Sequence, residues 1–377
     1  MDWNPTEDMR LCQELAKKFA AEFLAPAQRR HEAGRALAPE VLAKFDELGL
    51  ARIDWPVDDG GAGLGLLDRC VVLEALATAD AGAVPALNHN ALAWQALAAF
   101  GGAAGRERWL ADRCAEPGAT AYLHVDAGQS LVLADGRISG VVEWAPLARL
   151  DRLLVLRGDS LHLLTGPWGL EPVPGAGLLA SGASRIVLQA APIAHSMTDA
   201  AAARRVLAYA RLCAVAAMVG QMAAAVSVAR DYAVDRVVFG KPVAHHQAMA
   251  FALVDMHMAV SGTRLLLQEA AARYDQGAAV AEEAAQCFAE AAQAADLVGP
   301  FALQVHGASG FMRDYPVEKY MRELKTLSLM LGGIDAAWAD GVPRPVSGAG
   351  TGHHHAFLLS APADRKSTRL NSSHRLL

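Results

Sequence analysis

Two short stretches of this chain place a cation, an aromatic ring and an amide at spacings that suit a nucleotide ligand. The first is Arg236-Val-Val-Phe239-Gly240-Lys241-Pro242, followed by Gln247; the second is Gln304-Val-His-Gly307-Ala308-Ser309-Gly310-Phe311. A plain connector between helices needs only its glycine or proline, which supply positive φ or stop regular structure. Arg236, Phe239 and Gln247 add a donor fork for phosphate, an apolar plate and a side-chain amide. Residues 223–233 and 248–274 on either side are rich in helix formers, with apolar positions recurring at three and four. The turn therefore joins two helices.

On these stretches, with Arg313-Asp314-Tyr315-Pro316 and Tyr320-Met321-Arg322-Glu323-Leu324-Lys325, the chain resembles the acyl-CoA dehydrogenase family. That family's C-terminal helical domain carries R-x-x-F-G-K/R-P-x-x-x-x-Q and, later, Q-x-x-G-G-x-G-F. The resemblance implies FAD as cofactor, its ADP part held across a dimer interface by Arg236, Phe239, Gln304 and Gly307, with Gln247 closing the first signature. The second glycine of the family pair is Ala308 here, and its methyl group crowds a pyrophosphate approach. Trp55-Pro56-Val57-Asp58-Asp59-Gly60-Gly61-Ala62-Gly63-Leu64 resembles the family's P-E-x-x-G-G-x-G-L loop.

Family members desaturate an acyl-CoA thioester: a carboxylate removes the α-proton while a hydride leaves the β-carbon for the flavin. At both locations the family uses for that carboxylate this chain has none. Aligning Arg322-Glu323-Leu324-Lys325 with the family's R-D-A-K helix puts Leu331 on the usual glutamate of Y-E-G-T. Counting back from Arg236 puts Ala210 on the alternative glutamate, beside a retained Arg211 that meets either substrate or a structural carboxylate. The catalytic residue is thus unassigned; Asp335, four residues past Leu331, is a weaker candidate that better matches a structural acid. The flavin side also departs. Glu143-Trp144-Ala145-Pro146 resembles the W-I-T segment, placing Trp144 beside the flavin ring, but Pro146 brings neither hydroxyl nor N–H. Leu123-His124-Val125-Asp126-Ala127-Gly128-Gln129-Ser130 stands in place of L-T-E-P-G-A-G-S and keeps only its first and last residues.

The elements that must position these groups follow from periodicity. Residues 1–118 read as an N-terminal helical domain, with apolar faces such as Leu11, Leu15, Phe19 and Val41, Phe45, Leu48. Residues 119–195 change period to short strands (121–125, 130–133, 153–156, 161–164, 185–188) and read as a small β domain. Residues 196–340 return to long helices. The fold class is mainly α with a small central β domain: N-terminal helices, a β-barrel-like middle and a C-terminal four-helix bundle. Residues 341–377 read as a non-native, disordered tail, because Asp364 to His374 resembles translated sequencing adapter; His353 to His355 within it are no metal site.

Composition narrows the classes. Of 377 residues, 53% are hydrophobic and 20% charged, which excludes a disordered body. The apolar runs are broken short of the ~20 residues of a membrane span, so none is expected. The start is acidic and lacks the apolar core of a secretory signal, making the cytoplasm the default. Cys12, Cys70, Cys114, Cys213 and Cys287 lack paired spacing, so neither disulfides nor a metal site is expected. A net charge of −6 argues against nucleic acid.

The leading expectation is an FAD-binding oxidoreductase that desaturates an acyl-CoA, works as a dimer or tetramer and passes electrons to an electron-transfer flavoprotein. The alternatives are a base-lacking partner subunit of a heteromeric acyl-CoA dehydrogenase, a flavoenzyme of different chemistry on the same fold, or a non-enzymatic helical interaction protein.

Overall fold

Helix formation begins where the sequence supplies a cap: Thr6 Oγ1 accepts the Met9 N–H at 3.1 Å ahead of α1 (Glu7–Phe19). In this computed structural model the described residues are 5–110, 120–125 and 131–341. After α1 come α2 (Gln28–Gly34), α3 (Pro39–Glu47), α4 (Leu66–Asp80) and α5 (Val84–Leu110). The glycine-rich stretch between α3 and α4 is a folded turn: Gly63 N–H donates to Trp55 O at 2.8 Å and Leu64 N–H to Ile53 O at 3.0 Å. A side chain at Gly61 would overlap the Trp55 backbone, so that glycine is required by close approach.

Seven strands form the middle unit: β1 (Thr120–Val125), β2 (Leu131–Ala134), β3 (Arg137–Ala145), β4 (Arg152–Arg157), β5 (Ser160–Leu164), β6 (Trp168–Pro172) and β7 (Ser184–Thr198). Their order is β1-β4-β5-β7-β3-β2, with β6 paired to β7. The first half of β7 lies between β3 and β6, pairing Val187 with Val141 and with Gly169. Its second half pairs with β5, Met197 opposite Leu161. Ala190, at φ 52°, and Pro192 lie at the changeover, where the strand leaves one set of partners for the other. Periodicity in the sequence does not reveal β3 or β6 and shortens β7. Gly140, Gly169 and the two prolines interrupt the alternation that identifies a strand, and pairing with β7 overrides that local weakness in β3 and β6.

The C-terminal helices are α6 (Ala200–Asp235), α7 (Gln247–Asp275), α8 (Ala281–His306), α9 (Val317–Leu329) and α10 (Gly333–Gly341), with the hairpin β8 (Val237–Val238) and β9 (Lys241–Pro242) between α6 and α7. Asp199 caps α6, its carboxylate accepting the Ala201 and Ala202 N–H groups at 2.8 and 3.0 Å. In sequence, Gly220 and Gln221 interrupt an apolar run; in the fold both are contacts. A Cβ at Gly220 would lie 2.2 Å from Glu74 O, so its absence lets α6 cross α4 closely, and Gln221 Oε1 accepts the Ala81 N–H at 3.1 Å. One core runs through α1, α4, α6 and α8, and a second lies inside the sheet. Of the tail, Gly341 ends α10; residues 342–377, with the three histidines, lie outside the described residues.

The expectation that no apolar run reaches spanning length is corrected by the helices. Residues 66–101, 200–235 and 247–275 are long and apolar enough to cross a membrane by length and composition. The apolar windows of the first two are 72% and 78% buried inside the protein, so tertiary packing covers them. The window in α7 is only 22% buried, and Phe251, Val254, Met258, Leu265 and Leu266 stand exposed along it. Among the described residues nothing covers that face.

Candidate functional site

Between α5, α6, β3 and the end of α9 lies a cavity of about 310 Å³. From α5 it takes Val84, Pro85, Asn88, His89 and Leu92, the one-face spacing of a helix. From α6 it takes Ala210, Cys213, Ala214 and Ala217, and from β3 and the loop after it Val142, Trp144 and Pro146. The remaining wall is Thr326, Leu327, Leu329, Met330, Leu331 and Gly332. Leu331 and Ala210, far apart in sequence, therefore meet at one cavity.

Leu331 reaches it through unusual backbone. Its φ/ψ of 56°/33° is left-handed, and Gly332 and Gly333 follow at φ 85° and 68°. A non-glycine residue held there costs on the order of 1 kcal/mol. The sharp turn after α9 directs position 331 at α6.

No carboxylate lines this cavity among the described residues. The titratable side chains in its wall are His89 and Cys213. Burial pushes the Cys213 thiol up to about 12, so it stays protonated. Burial lowers His89 against the opposing pull of its bond to Pro146, whose carbonyl oxygen lies 2.9 Å from Nε2. Arg211 is absent from the cavity wall. It pairs with Asp340 on α10 at 2.6 Å, the structural alternative of the two left open by sequence. Asp335 is exposed on α10 and also outside the wall.

Helix α9, which carries the Leu331 turn, is pinned by buried charge. Lys319 Nζ lies 2.5 Å from Asp80 Oδ1 and 2.6 Å from Glu323 Oε1, all three side chains almost fully buried. Gly82 leaves room for this cluster, since a Cβ there would meet Glu323 Oε1 at 2.4 Å. Arg322 on the same helix bonds Glu32 and Glu318, both at 2.8 Å, and also the Ala176 carbonyl.

The residues of the two signatures form a separate, exposed face. Phe239 and Gly240, at φ 51° and 78°, are the two central residues of the β8–β9 hairpin, the positive-φ pair of a type I′ turn. Phe239 is 94% exposed there, so an apolar ring is held out in water on strained backbone. The Arg236 side chain is exposed and makes no ion pair among the described residues. Tyr232, one turn before it, stacks on His306 with ring centroids 4.3 Å apart, which sets the ends of α6 and α8 side by side. Exposed Gln304, Gly307 and Ala308 belong to that α8 end. Gly307, at φ 57° and ψ −135°, has conformational need of glycine and open space where a Cβ would stand. Gln247 is exposed at the first position of α7. Trp144 alone of the expected FAD residues lies at the cavity. The Leu123–Ser130 segment cannot be placed against either site, because residues 126–130 lie outside the described residues.

Sequence reasoning missed Asn88, His89 and Cys213. The available signal was a polar Asn-His pair inside an otherwise apolar helical face at positions 84, 85, 88, 89 and 92.

A helical N-terminal part, a small central sheet and a C-terminal bundle enclosing this cavity make up the acyl-CoA dehydrogenase fold. Butyryl-CoA dehydrogenase from Megasphaera elsdenii superposes with a TM-score of 0.79 at 23% identity, covering 90% of this chain and 98% of that one. PigA in complex with FAD and proline superposes at 0.80 with 20% identity. In sequence, the family's N-terminal domain matches residues 6–116 and its C-terminal domain residues 200–338. Acryloyl-CoA reductase (NADH) of Anaerotignum propionicum is 25% identical over 367 residues, covering 88% of this chain and 93% of that protein. Bovine mitochondrial isobutyryl-CoA dehydrogenase is also 25% identical, covering 87% and 86%. The chain belongs to the acyl-CoA dehydrogenase family.

Proposed function

We propose that this chain is an FAD-binding acyl-CoA oxidoreductase of the dehydrogenase type that takes the acyl group of a CoA thioester into the 310 Å³ cavity. The observation that carries the reading is the meeting of Trp144, Leu331 and Ala210 at that one cavity, where the family resemblance sets flavin ring and base. FAD, when bound, accepts the hydride lost from the acyl β-carbon. Arg236 and Gln304 would hold its ADP end, with Phe239 as an apolar plate and Gly307 allowing close backbone approach. The exposed Arg236, with no ion pair among the described residues, and the strained Phe239 fit an anionic, aromatic ligand. The bare face of α7, next to the hairpin in sequence, supports a second family subunit covering both. An electron-transfer flavoprotein is the proposed acceptor.

A second reading is favoured by one observation. With Leu331 and Ala210 aliphatic, Cys213 protonated and no acid in the wall, nothing at the cavity matches the family's carboxylate. The chain then serves as the base-lacking subunit of a mixed oligomer, contributing its ADP-binding surface to a partner's FAD. Anaerobic titration with an acyl-CoA panel separates the two readings: bleaching by the chain alone supports the self-sufficient enzyme, and bleaching only with a co-encoded family member supports the subunit. Flavin that never bleaches excludes dehydrogenation, purification without flavin that FAD cannot restore excludes the self-sufficient enzyme, and failure to take up FAD with a co-encoded family member as well excludes both readings.

The flavin surface has its own check. Arg236→Ala removes a charged donor, which at a phosphate contributes about 1.5–3 kcal/mol. FAD affinity, measured by fluorescence quenching, is expected to fall about 10- to 100-fold. An unchanged affinity would remove Arg236 from the site.

A further inference from the structure

His89 and Asn88 lie side by side on the cavity face of α5, and each keeps a buried acceptor without a donor. The Pro146 carbonyl can only accept, so His89 Nε2, 2.9 Å from it, carries the ring proton. Nδ1 is left as a bare lone pair, and among the described residues neither it nor Asn88 Oδ1 has a hydrogen-bond partner. His89 and Asn88 are 7% and 3% exposed, and both stand in the cavity wall. The wall around them is aliphatic and aromatic apart from Cys213, whose sulfur meets the Asn88 amide, and Thr326, whose hydroxyl donates to Arg322 O at 2.8 Å. His89 also borders a second cavity of about 330 Å³ lined by Leu37, Leu42 and Leu147, so it forms part of the partition between two apolar spaces.

An unmade hydrogen bond at a buried acceptor costs about 1–3 kcal/mol. An unsubstituted hydrocarbon chain filling the cavity would leave both acceptors in that state. A ligand hydroxyl, which carries one proton, would satisfy one of them. A cationic donor is disfavoured, because a wall without carboxylates offers no compensation for its desolvation. We propose that His89 and Asn88 are specificity-determining residues, and that the acyl group this cavity selects carries a hydroxyl that donates to one of them. The proposal rests on the acyl-CoA reading above and adds the chemistry of the acyl chain to it.

The test compares, in the FAD-loaded protein, the dissociation constants of butyryl-CoA, 3-hydroxybutyryl-CoA and 4-hydroxybutyryl-CoA by calorimetry. At least one hydroxylated thioester is expected to bind about tenfold more tightly than butyryl-CoA, the value of one net buried hydrogen bond of about 1.4 kcal/mol. Of His89→Leu and Asn88→Leu, the one that removes the acceptor in use is expected to erase that preference in protein that still binds FAD, which an unfolded variant would not do; a preference that survives both overturns the inference. Equal or weaker binding of both hydroxylated thioesters by the unaltered protein overturns the inference without any variant, and leaves the acyl-CoA reading intact. Failure of all three thioesters to bind overturns the acyl-CoA reading and this inference together.

Discussion

Leu331→Glu is expected to raise acyl-CoA-dependent flavin bleaching by the isolated chain about 10²- to 10⁴-fold, the usual contribution of a positioned general base. The expectation comes from geometry as well as from the family resemblance. Position 331 lies in the cavity wall on a left-handed turn followed by two positive-φ glycines, so its side chain is directed by backbone that the substitution leaves in place. A new carboxylate would share the wall with Ala210, Met330 and Trp144, of which only the Trp144 indole N–H can donate to it. Desolvation would raise its pKa toward neutrality, where a carboxylate abstracts protons most effectively. Ala210→Glu tests the facing position on α6 in the same assay. If neither substitution accelerates bleaching in protein that still binds FAD and thioester, the cavity is not where the α-carbon reacts. If the chain is the base-lacking subunit, Leu331→Glu should also make it independent of its partner.

The largest stability effect is expected at Lys319. Replacing it by Met removes the cation that bridges Asp80 and Glu323 and leaves two carboxylates facing each other in a dry interior. Breaking a buried ion pair in this way costs about 3–5 kcal/mol, enough to lower the denaturant midpoint sharply. Because the same cluster holds α9, the Leu331 turn should loosen as well, and acyl-CoA affinity should fall with stability. A midpoint within experimental error of the parent would show that the cluster does not anchor α9.

The cluster also predicts a pH dependence. Burial pushes Glu323 up to about 7 although Lys319 pulls it down, and Asp80 adds to the rise. A carboxyl whose folded pKa lies above its unfolded value binds its proton more tightly when folded. Its contribution is complete below the ordinary carboxylate range and is lost as pH rises through about 7. Stability should therefore decline between pH 5 and 8, and Glu323→Gln should flatten that part of the profile. A slope that persists in Glu323→Gln assigns the titration to another group.

Much of the fold was legible before any coordinates. Helices α6, α7 and α8 follow from alanine-rich sequence with apolar residues at three and four, and the break between α6 and α7 follows from Gly240 and Pro242. Strands β3 and β6 were not legible, because strand identity there depends on β7 pairing along both edges and not on local alternation. The spanning-length helices show the converse. Their hydropathy is a local property, whereas their burial against one another is a property of the packed chain.

For the site, sequence alone determined the family signatures, the missing carboxylates at positions 331 and 210, and the proline where the family has a hydroxyl. Those are matters of residue type, readable without distance. Only the tertiary structure decided that Leu331 and Ala210 face one cavity, that Arg211 turns away to Asp340, and that His89 and Asn88 complete the wall with unpaired acceptors. Each depends on helices more than a hundred residues apart coming into contact, or on a carbonyl such as that of Pro146 fixing a ring's proton. Side-chain chemistry is written residue by residue, but the partner that gives it direction is chosen by packing.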